Sequence, residues 1–316
     1  MRCLIVGGGG FLGSHLAFGL LAQGHAVRIL DRPNLHRFDG AQGSDSVEWH
    51  EGDFVNHDDM SKALSGCEVV FHLAWTTLPQ SSNDNPAYDV ETNVIGTLHL
   101  LELACREHVR KVIFASSGGT VYGIPKEIPI KESHATDPVC AYGISKLVIE
   151  KYLNLYHVLH GLDYRILRLA NPFGERQRPT GSQGAVSVFL HKALRNETIE
   201  IWGDGTVIRD YVYVGDMIDA FLKVASYNGR HRVLNIGSGE GKSLKDVITA
   251  IESLLGRKVS YTFLPGRKFD VPVNILDSSM ACTALGWQSK TSFDDGLSRM
   301  LKWILETEVV VWKQCA

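Results

Sequence analysis

A continuous apolar run, Cys3-Leu4-Ile5-Val6, feeds directly into Gly7-Gly8-Gly9-Gly10-Phe11-Leu12-Gly13, and an apolar helical pattern follows through Leu21. A strand without polar alternation is buried on both faces, which is the habit of parallel sheets covered by helices on either side. Gly7, Gly10 and Gly13 form GxxGxxG, and each has a separate task. Gly7 permits the tight turn, Gly10 lets backbone approach a pyrophosphate, and Gly13 allows close packing of helix on strand. The helix that opens at Phe11 and Leu12 presents free N–H groups to an anion. Strand before and helix after turn a weak glycine pattern into a specific one. The expectation is an α/β, doubly wound Rossmann sheet that holds a dinucleotide.

The chain keeps alternating. Ala26 to Leu30 reads as a strand ending at Asp31, about 20 residues beyond the glycines, where a carboxylate binds the adenine-ribose hydroxyls. Asp31 favours NAD over NADP, while Arg32 beside it is the residue that can pair with an extra phosphate. Val47 to Glu51 is a third strand, leading into Gly52-Asp53-Phe54. There Asp53 can accept from the adenine amino group with Phe54 against the ring, or serve as a turn residue. Val69 to Leu73 ends in Ala74-Trp75-Thr76-Thr77, small or polar groups where a carboxyl strand end faces ligand. Pro86 to His108 reads as one long helix carrying Asn93. Lys111 to Ala115 is a strand ending in Ser116-Ser117-Gly118-Gly119-Thr120-Val121-Tyr122-Gly123.

Tyr142-Gly143-Ile144-Ser145-Lys146 opens the next helix. Residues four apart share a helix face, so Lys146 lies one turn from Tyr142. A phenol titrates near ~10, and an ammonium beside it favours the phenolate, making a general acid/base. The same helix is apolar nearly all round, from Leu147 to Leu159, which implies burial on a second side by another subunit.

Tyr164 to Leu169 closes the alternation. Looser, polar and Gly-rich segments follow, so the expected units are a dinucleotide-binding domain over 1–170, which a segment near 206–235 rejoins, and a smaller α/β domain over 171–316. Ile199 to Trp202 and Tyr211 to Val214 read as strands, with a helix from near Asp216. Ser243 to Asp246 reads as a capping box opening a helix that stops at Gly256. The tail after Glu306 has no assignment.

Composition narrows the function. The formal charge of -3 excludes a general binder of nucleic acid or anionic membrane. Six scattered cysteines without a CxxC pair read as buried thiols, and thirteen histidines without HExxH give no metal site. Without a leader pattern or an apolar run near the ~20 residues of a membrane helix, the expected location is cytoplasmic.

Together, GxxGxxG, Asp31, Gly52-Asp53, His72-Leu73-Ala74, Asn93, Ser116 to Gly123 and Tyr142-x-x-x-Lys146 resemble the extended short-chain dehydrogenase/reductases, most closely the nucleotide-sugar 4-epimerases. Arg168-Leu169-Ala170-Asn171-Pro172, Gly205 to Tyr211 and Gly266-Arg267-Lys268-Phe269-Asp270 extend the resemblance along the chain. It implies NAD held by Gly7, Gly10, Phe11, Leu12, Gly13, Asp31, Arg32, Asp53, Phe54, Leu73, Ala74, Trp75, Asn93, Ser116, Tyr142, Lys146 and Leu169. It implies a UDP-sugar held by Thr76, Ser117, Gly118, Thr120, Tyr142, Asn171, Trp202, Arg209, Tyr211, Arg267, Asp270 and Asn274. Arg209 and Arg267 would meet the diphosphate. A homodimer through the 86–108 and 140–160 helices is implied as well.

One departure stands out. The family places Ser or Thr at the position of Gly118, and Thr120, two residues along an extended segment and so on the same face, is the expected replacement, with Ser117 behind it. The acid pair of related dehydratases is absent at Gly119 and Thr120. Asn274 occupies the position of a gate, where a small residue admits 2-acetamido sugars. Arg176 and Arg178 keep a hexuronic acid open, a reductase remains another class, and a dinucleotide-binding sensor without turnover is the non-enzyme reading.

Overall fold

In strand β1 (Arg2–Val6) alternate residues point to opposite layers: Cys3 and Ile5 join one apolar cluster, Leu4 and Val6 the other. That two-sided burial is what the unbroken apolar run requires. The computed structural model of the protein describes residues 1–33, 46–179, 184–267 and 269–314, with side chains through 307. Lys268 and Cys315 lie outside the described residues.

β1, β2 (Ala26–Asp31), β3 (Val47–Glu51), β4 (Val69–His72), β5 (Lys111–Ser117) and β6 (Asp163–Leu169) pair in parallel, and β10 (Val233–Ile236) adds a seventh strand beside β6. The order β10-β6-β5-β4-β1-β2-β3 reverses direction at β1, and ligands of such sheets bind outside the carboxyl ends near that switch. Helices α1 (Phe11–Ala22) and α8 (Val214–Ser226) cover one face; α2 (His57–Leu64), α5 (Gly96–Arg106) and α6 (Ala141–His160) cover the other. α1 and α8 meet at Gly19, where an added Cβ would stand 3.0 Å from Leu222.

Short helices α3 (Pro79–Asp84) and α4 (Pro86–Asp89) precede α5, and a π-helical segment spans Val90–Ile95. The expected single helix over 86–108 is thus continuous but widened in the middle, and α3 was not anticipated. A second sheet orders β11 (Gly241–Ser243), β9 (Ile208–Tyr213) and β13 (Val273–Asn274), with β7 (Asn171–Phe173) also on β9. β8 (Ile199–Trp202) and β12 (Tyr261–Leu264) form a two-stranded sheet. α7 (Ala185–Leu194), α9 (Leu244–Leu255), α10 (Ser279–Leu285) and α11 (Phe293–Gln314) complete the chain, and α11 takes up the tail after Glu306. The Ser243–Asp246 capping box and the left-handed Gly256 stop of α9 occur as expected. No helix among the described residues is long and apolar enough to cross a membrane.

Candidate active site

The carboxyl ends of β1, β4, β5 and β6 open onto a cavity of about 750 Å³ that runs across to the second sheet. Gly7, at φ +86°, leaves no room for a side chain: a Cβ would fall 2.7 Å from the backbone nitrogen of Ala74. A Cβ on Gly13 would fall 2.4 Å from the carbonyl of Gly7. Gly10, by contrast, meets nothing nearer than 3.4 Å. Gly7, Gly10, Phe11, Leu12 and Gly13 all line the cavity, so the open start of α1 faces it. Ala74 closes the back of that cradle, while Leu73 and Trp75 are in the wall.

Asp31 ends β2 and ties the loop down: its carboxylate accepts from the N–H of Gly9 at 2.8 Å and of Arg32 at 2.9 Å. Burial raises the Asp31 carboxyl above its ordinary value, with those two hydrogen bonds opposing. Arg32 is paired with Asp53 at 3.2 Å, and Asp53 also accepts from the Val55 N–H in its own turn. Arg32 is therefore engaged by a carboxylate rather than left for a phosphate. Phe54 departs from its expected place against adenine. It is buried beneath the sheet end, with its ring centroid 5.6 Å from that of His72 and its edge filling the space beside Gly96.

Asn93 and Thr76 also differ from expectation. The Asn93 amide oxygen accepts from the Thr76 N–H at 2.9 Å and from its hydroxyl at 3.1 Å, and its nitrogen donates to Thr77 and Asp89. The Thr76 hydroxyl meets Thr92 as well. Neither residue lines the cavity; Thr77 does. Asn93 shapes the ligand-facing strand end from behind, because every polar atom it carries is taken by the chain.

Tyr142 and Lys146 sit in the first two turns of α6 and both line the cavity. Tyr142 packs edge-on against Trp75 at 5.3 Å. The Lys146 ammonium donates to the Ala115 carbonyl at 2.7 Å and lies 3.7 Å from the Trp75 ring centre and 5.6 Å from that of Tyr142. Burial pushes Lys146 down to about 7, with Asp89 and Glu150 opposing. Burial raises the Tyr142 phenol, and Cys140 and Asp89 add to it. The expected lowering of the phenol by Lys146 is thus not seen in this arrangement, because desolvation outweighs an ammonium directed at a carbonyl.

β5 ends at Ser117, and Gly118 through Thr120 turn rather than extend: the N–H groups of Thr120 and Val121 both reach back to the Ser117 carbonyl. The same-face argument for Thr120 therefore fails. Even so, Ser117, Gly119 and Thr120 line the cavity, and the Thr120 hydroxyl is buried without any partner in the protein. The Ser116 hydroxyl donates instead to Glu150 at 2.5 Å, while the residue keeps a place in the wall beside Leu169. Gly118 is out of the wall, as is Asn274, which is buried with its amide on the Gly118 carbonyl.

At the other end stand Asn171, Trp202, Arg209, Tyr211, Arg267 and Asp270, all in the cavity wall. Arg267 makes a two-point pair with Asp270 at 2.9 and 3.1 Å, and Arg209 lies 3.7 Å from the same carboxylate. Two cations thus share one anion, an arrangement suited to receiving a further negative group. Arg209 also donates to the carbonyls of Ile208 and Val271, which fixes its guanidinium. Burial pushes the Tyr211 phenol up to about 12, and its ring packs against Phe173 and Phe293.

The sequence reading missed Leu78, Pro79 and Gln80 before and within α3, and Phe189 and Lys192 of α7, all in the wall. Proline at the start of α3 was the available signal. Arg176 stacks on Phe18 at 4.7 Å and Arg178 is exposed; neither lines the cavity. No cluster of metal-ligating side chains occurs among the described residues.

A buried tyrosine and lysine beside a dinucleotide cradle suit hydride transfer to and from a carbon bearing a hydroxyl, which is the work of the short-chain dehydrogenase/reductase class. More narrowly, residues 3–237 match the NAD dependent epimerase/dehydratase family, and the chain belongs to that family. It is 37% identical over 314 residues to a UDP-glucose 4-epimerase of Mycolicibacterium smegmatis, covering 96% of this chain and 98% of that protein. The crystal structure of a Thermotoga maritima UDP-glucose 4-epimerase with UDP-glucose superposes with TM-score 0.90 at 35% identity, covering 97% of this chain and 99% of that one. A UDP-N-acetylglucosamine 4-epimerase from Methanobrevibacter ruminantium, solved with UDP-N-acetylmuramic acid, gives 0.89 at 27% identity over 97% and 98% of the two chains. The protein is accordingly an NAD-dependent enzyme of this family.

Proposed function

We propose that the protein is a UDP-hexose 4-epimerase, acting on UDP-glucose and UDP-galactose and also on UDP-GlcNAc and UDP-GalNAc. The observation that carries this reading is a single cavity with Tyr142, Lys146 and the unpartnered Thr120 hydroxyl at one end and the Arg209–Arg267–Asp270 cluster at the other. The glycine cradle and Asp31 fit the pyrophosphate and adenine ribose of NAD, which supplies a reversible hydride acceptor when bound.

Tyr142 takes the proton of the sugar C4 hydroxyl as the C4 hydride departs. Thr120, with Ser117 beside it, holds the C4 oxygen. The 4-keto sugar then turns about a diphosphate anchored by Arg209 and Arg267, receives hydride on its other face, and regains the proton from Tyr142. Lys146, fixed by its hydrogen bond to the Ala115 carbonyl, orients the nicotinamide ribose. The retraction of the small Asn274 from the wall leaves room for a 2-acetamido group, and the absence of Arg176 and Arg178 from it disfavours a hexuronate. Gly119 and Thr120 provide no acid for dehydration. Residues 1–170 with the 206–235 return serve NAD in this reading, and 171–316 serve the sugar nucleotide. The apolar outer side of α6, with Leu155, Val158 and Leu159 exposed beside Val90 and Ile95, supports a homodimer.

The test is NMR of purified protein incubated separately with UDP-GlcNAc, UDP-glucose and UDP-glucuronate without added cofactor. Appearance of the C4 epimer identifies a cofactor-retaining epimerase and its sugar. Unchanged substrates, even with NAD added, would refute the assignment.

A further inference from the structure

Behind Tyr142 and Lys146, the Thr77–Asn93 stretch holds the start of α6. Cys140, the residue before that helix, offers no side-chain cap. The first N–H groups are instead received across space by α3: Ala141 donates to the Asn83 amide oxygen at 2.9 Å, and Tyr142 to the Ser82 hydroxyl at 3.0 Å. Deeper in, Asp89 is fully buried. Its carboxylate accepts from the Thr77 hydroxyl, from the Asn93 amide at 3.0 Å, and from the Ser145 hydroxyl at 2.5 Å. Ser145 is the residue before Lys146, and Thr77 is in the cavity wall.

A buried carboxylate must be hydrogen-bonded to be tolerated, and three donors meet that need. Its position has a second effect, because charge acts strongly across low-dielectric interior. The groups facing the pair are Asp89 from α4, Glu150 from further along α6, Cys140 before it and His72 on β4, with the Trp75 and Phe114 rings against the ammonium. Asp89 is the larger of the two anionic influences on Lys146 and favours its ammonium against burial.

We propose that Asp89 is a positioning residue for the reaction: through its hydrogen bond to Ser145 it anchors the first turns of α6 and sets a buried negative charge behind the residue that precedes Lys146. This rests on the reading of Tyr142 and Lys146 as the catalytic pair, but its test does not need turnover. The Lys146 side chain is titrated by NMR in protein carrying isotope-labelled lysine, its signal identified by its loss in Lys146→Met. The wild-type midpoint is expected near 7. Asp89→Asn keeps the shape and removes the charge, and should lower the midpoint by about one unit, with the pH profile of kcat moving the same way. Ser145→Ala keeps the charge and should leave the midpoint in place. Thermal melts establish that the variants are folded, and Asp89→Ser is titrated if Asp89→Asn is not. An unchanged midpoint in a folded neutral variant at 89, or an equal shift in Ser145→Ala, would overturn the proposal. A normal shift with no turnover on any sugar would leave Asp89 in its role and remove the epimerase reading instead.

Discussion

The side-chain amide of Asn274 donates to the carbonyl oxygen of Gly118 at 3.0 Å, tying β13 of the second sheet to the turn that carries Ser117 and Thr120. Two residues on, Leu276 fills the space a side chain at 118 would need: a Cβ there would fall 2.5 Å from its Cδ1 and 3.2 Å from the Arg168 carbonyl. The glycine is therefore the counterpart of Leu276, and the turn is braced through its backbone.

Restoring the hydroxyl at that position should fail. Gly118→Ser is expected to destabilise the fold by about 1–3 kcal/mol through overpacking and to lower kcat. Thermal melts read the first effect, and Leu276→Ala should recover part of it. A more active Gly118→Ser enzyme would contradict this account.

Asn274→Tyr should lose activity on both sugar classes, because a phenol cannot enter a site that is 2% exposed without breaking the bond to Gly118. The acetamido sugars should lose more, since the displaced ring would turn toward the cavity. Paired kcat/KM values for UDP-glucose and UDP-GlcNAc check both parts; full retention with either would rule out the brace.

Tyr142→Phe should bind the UDP-sugar normally, as read by calorimetry, while turnover falls by orders of magnitude. Thr120→Val should cost about 10²-fold in kcat with KM little changed, as expected for a donor used at the reacting oxygen. Comparable activity in either variant would remove that residue from its role.

The acid side of the stability profile should carry the mark of His72. Burial pushes it down to about 3 from 6.5, so between those values the unfolded chain holds a proton that the fold does not. Stability then falls as pH drops below 6.5, by about 1.4 kcal/mol per unit, and stops falling near 3. Lys146, at about 7 against 10.5 when free, acts with the same sign higher up, so stability rises with pH across that interval. Denaturant melts across pH should show His72→Asn flattening the first slope and Lys146→Met the second; unaltered slopes would show that other groups govern them.

Much of this was legible because backbone demands write themselves into sequence. The run at Cys3–Val6, the glycines at 7, 10 and 13, and the apolar α6 each have few structural solutions. The Tyr142–Lys146 spacing was readable from pattern, whereas Arg209 and Arg267 stand out only through the family resemblance. What was not legible depends on three-dimensional partners. Phe54 turns inward because Gly96 leaves it a space, Asn93 serves Thr76 because a π-helical segment aims it there, and Arg32 finds Asp53 across two strand ends. Gly118 to Thr120 reads as a continuation of the extended strand, yet it turns because the strand ends at Ser117. No periodicity carries such information.

The seventh strand of the main sheet, β10, reaches β6 only after the chain has laid down β7, β8 and β9 elsewhere. During synthesis the first six strands thus emerge with one edge unpaired and with the flank of α1 at Gly19 uncovered, and they stay so until α8 and β10 leave the ribosome. Completion of the main sheet therefore waits on the chain that builds the second one. A fragment ending at residue 170 would carry a bare, sticky margin at β6, so the chain cannot be cut there without exposing an edge that the whole fold covers.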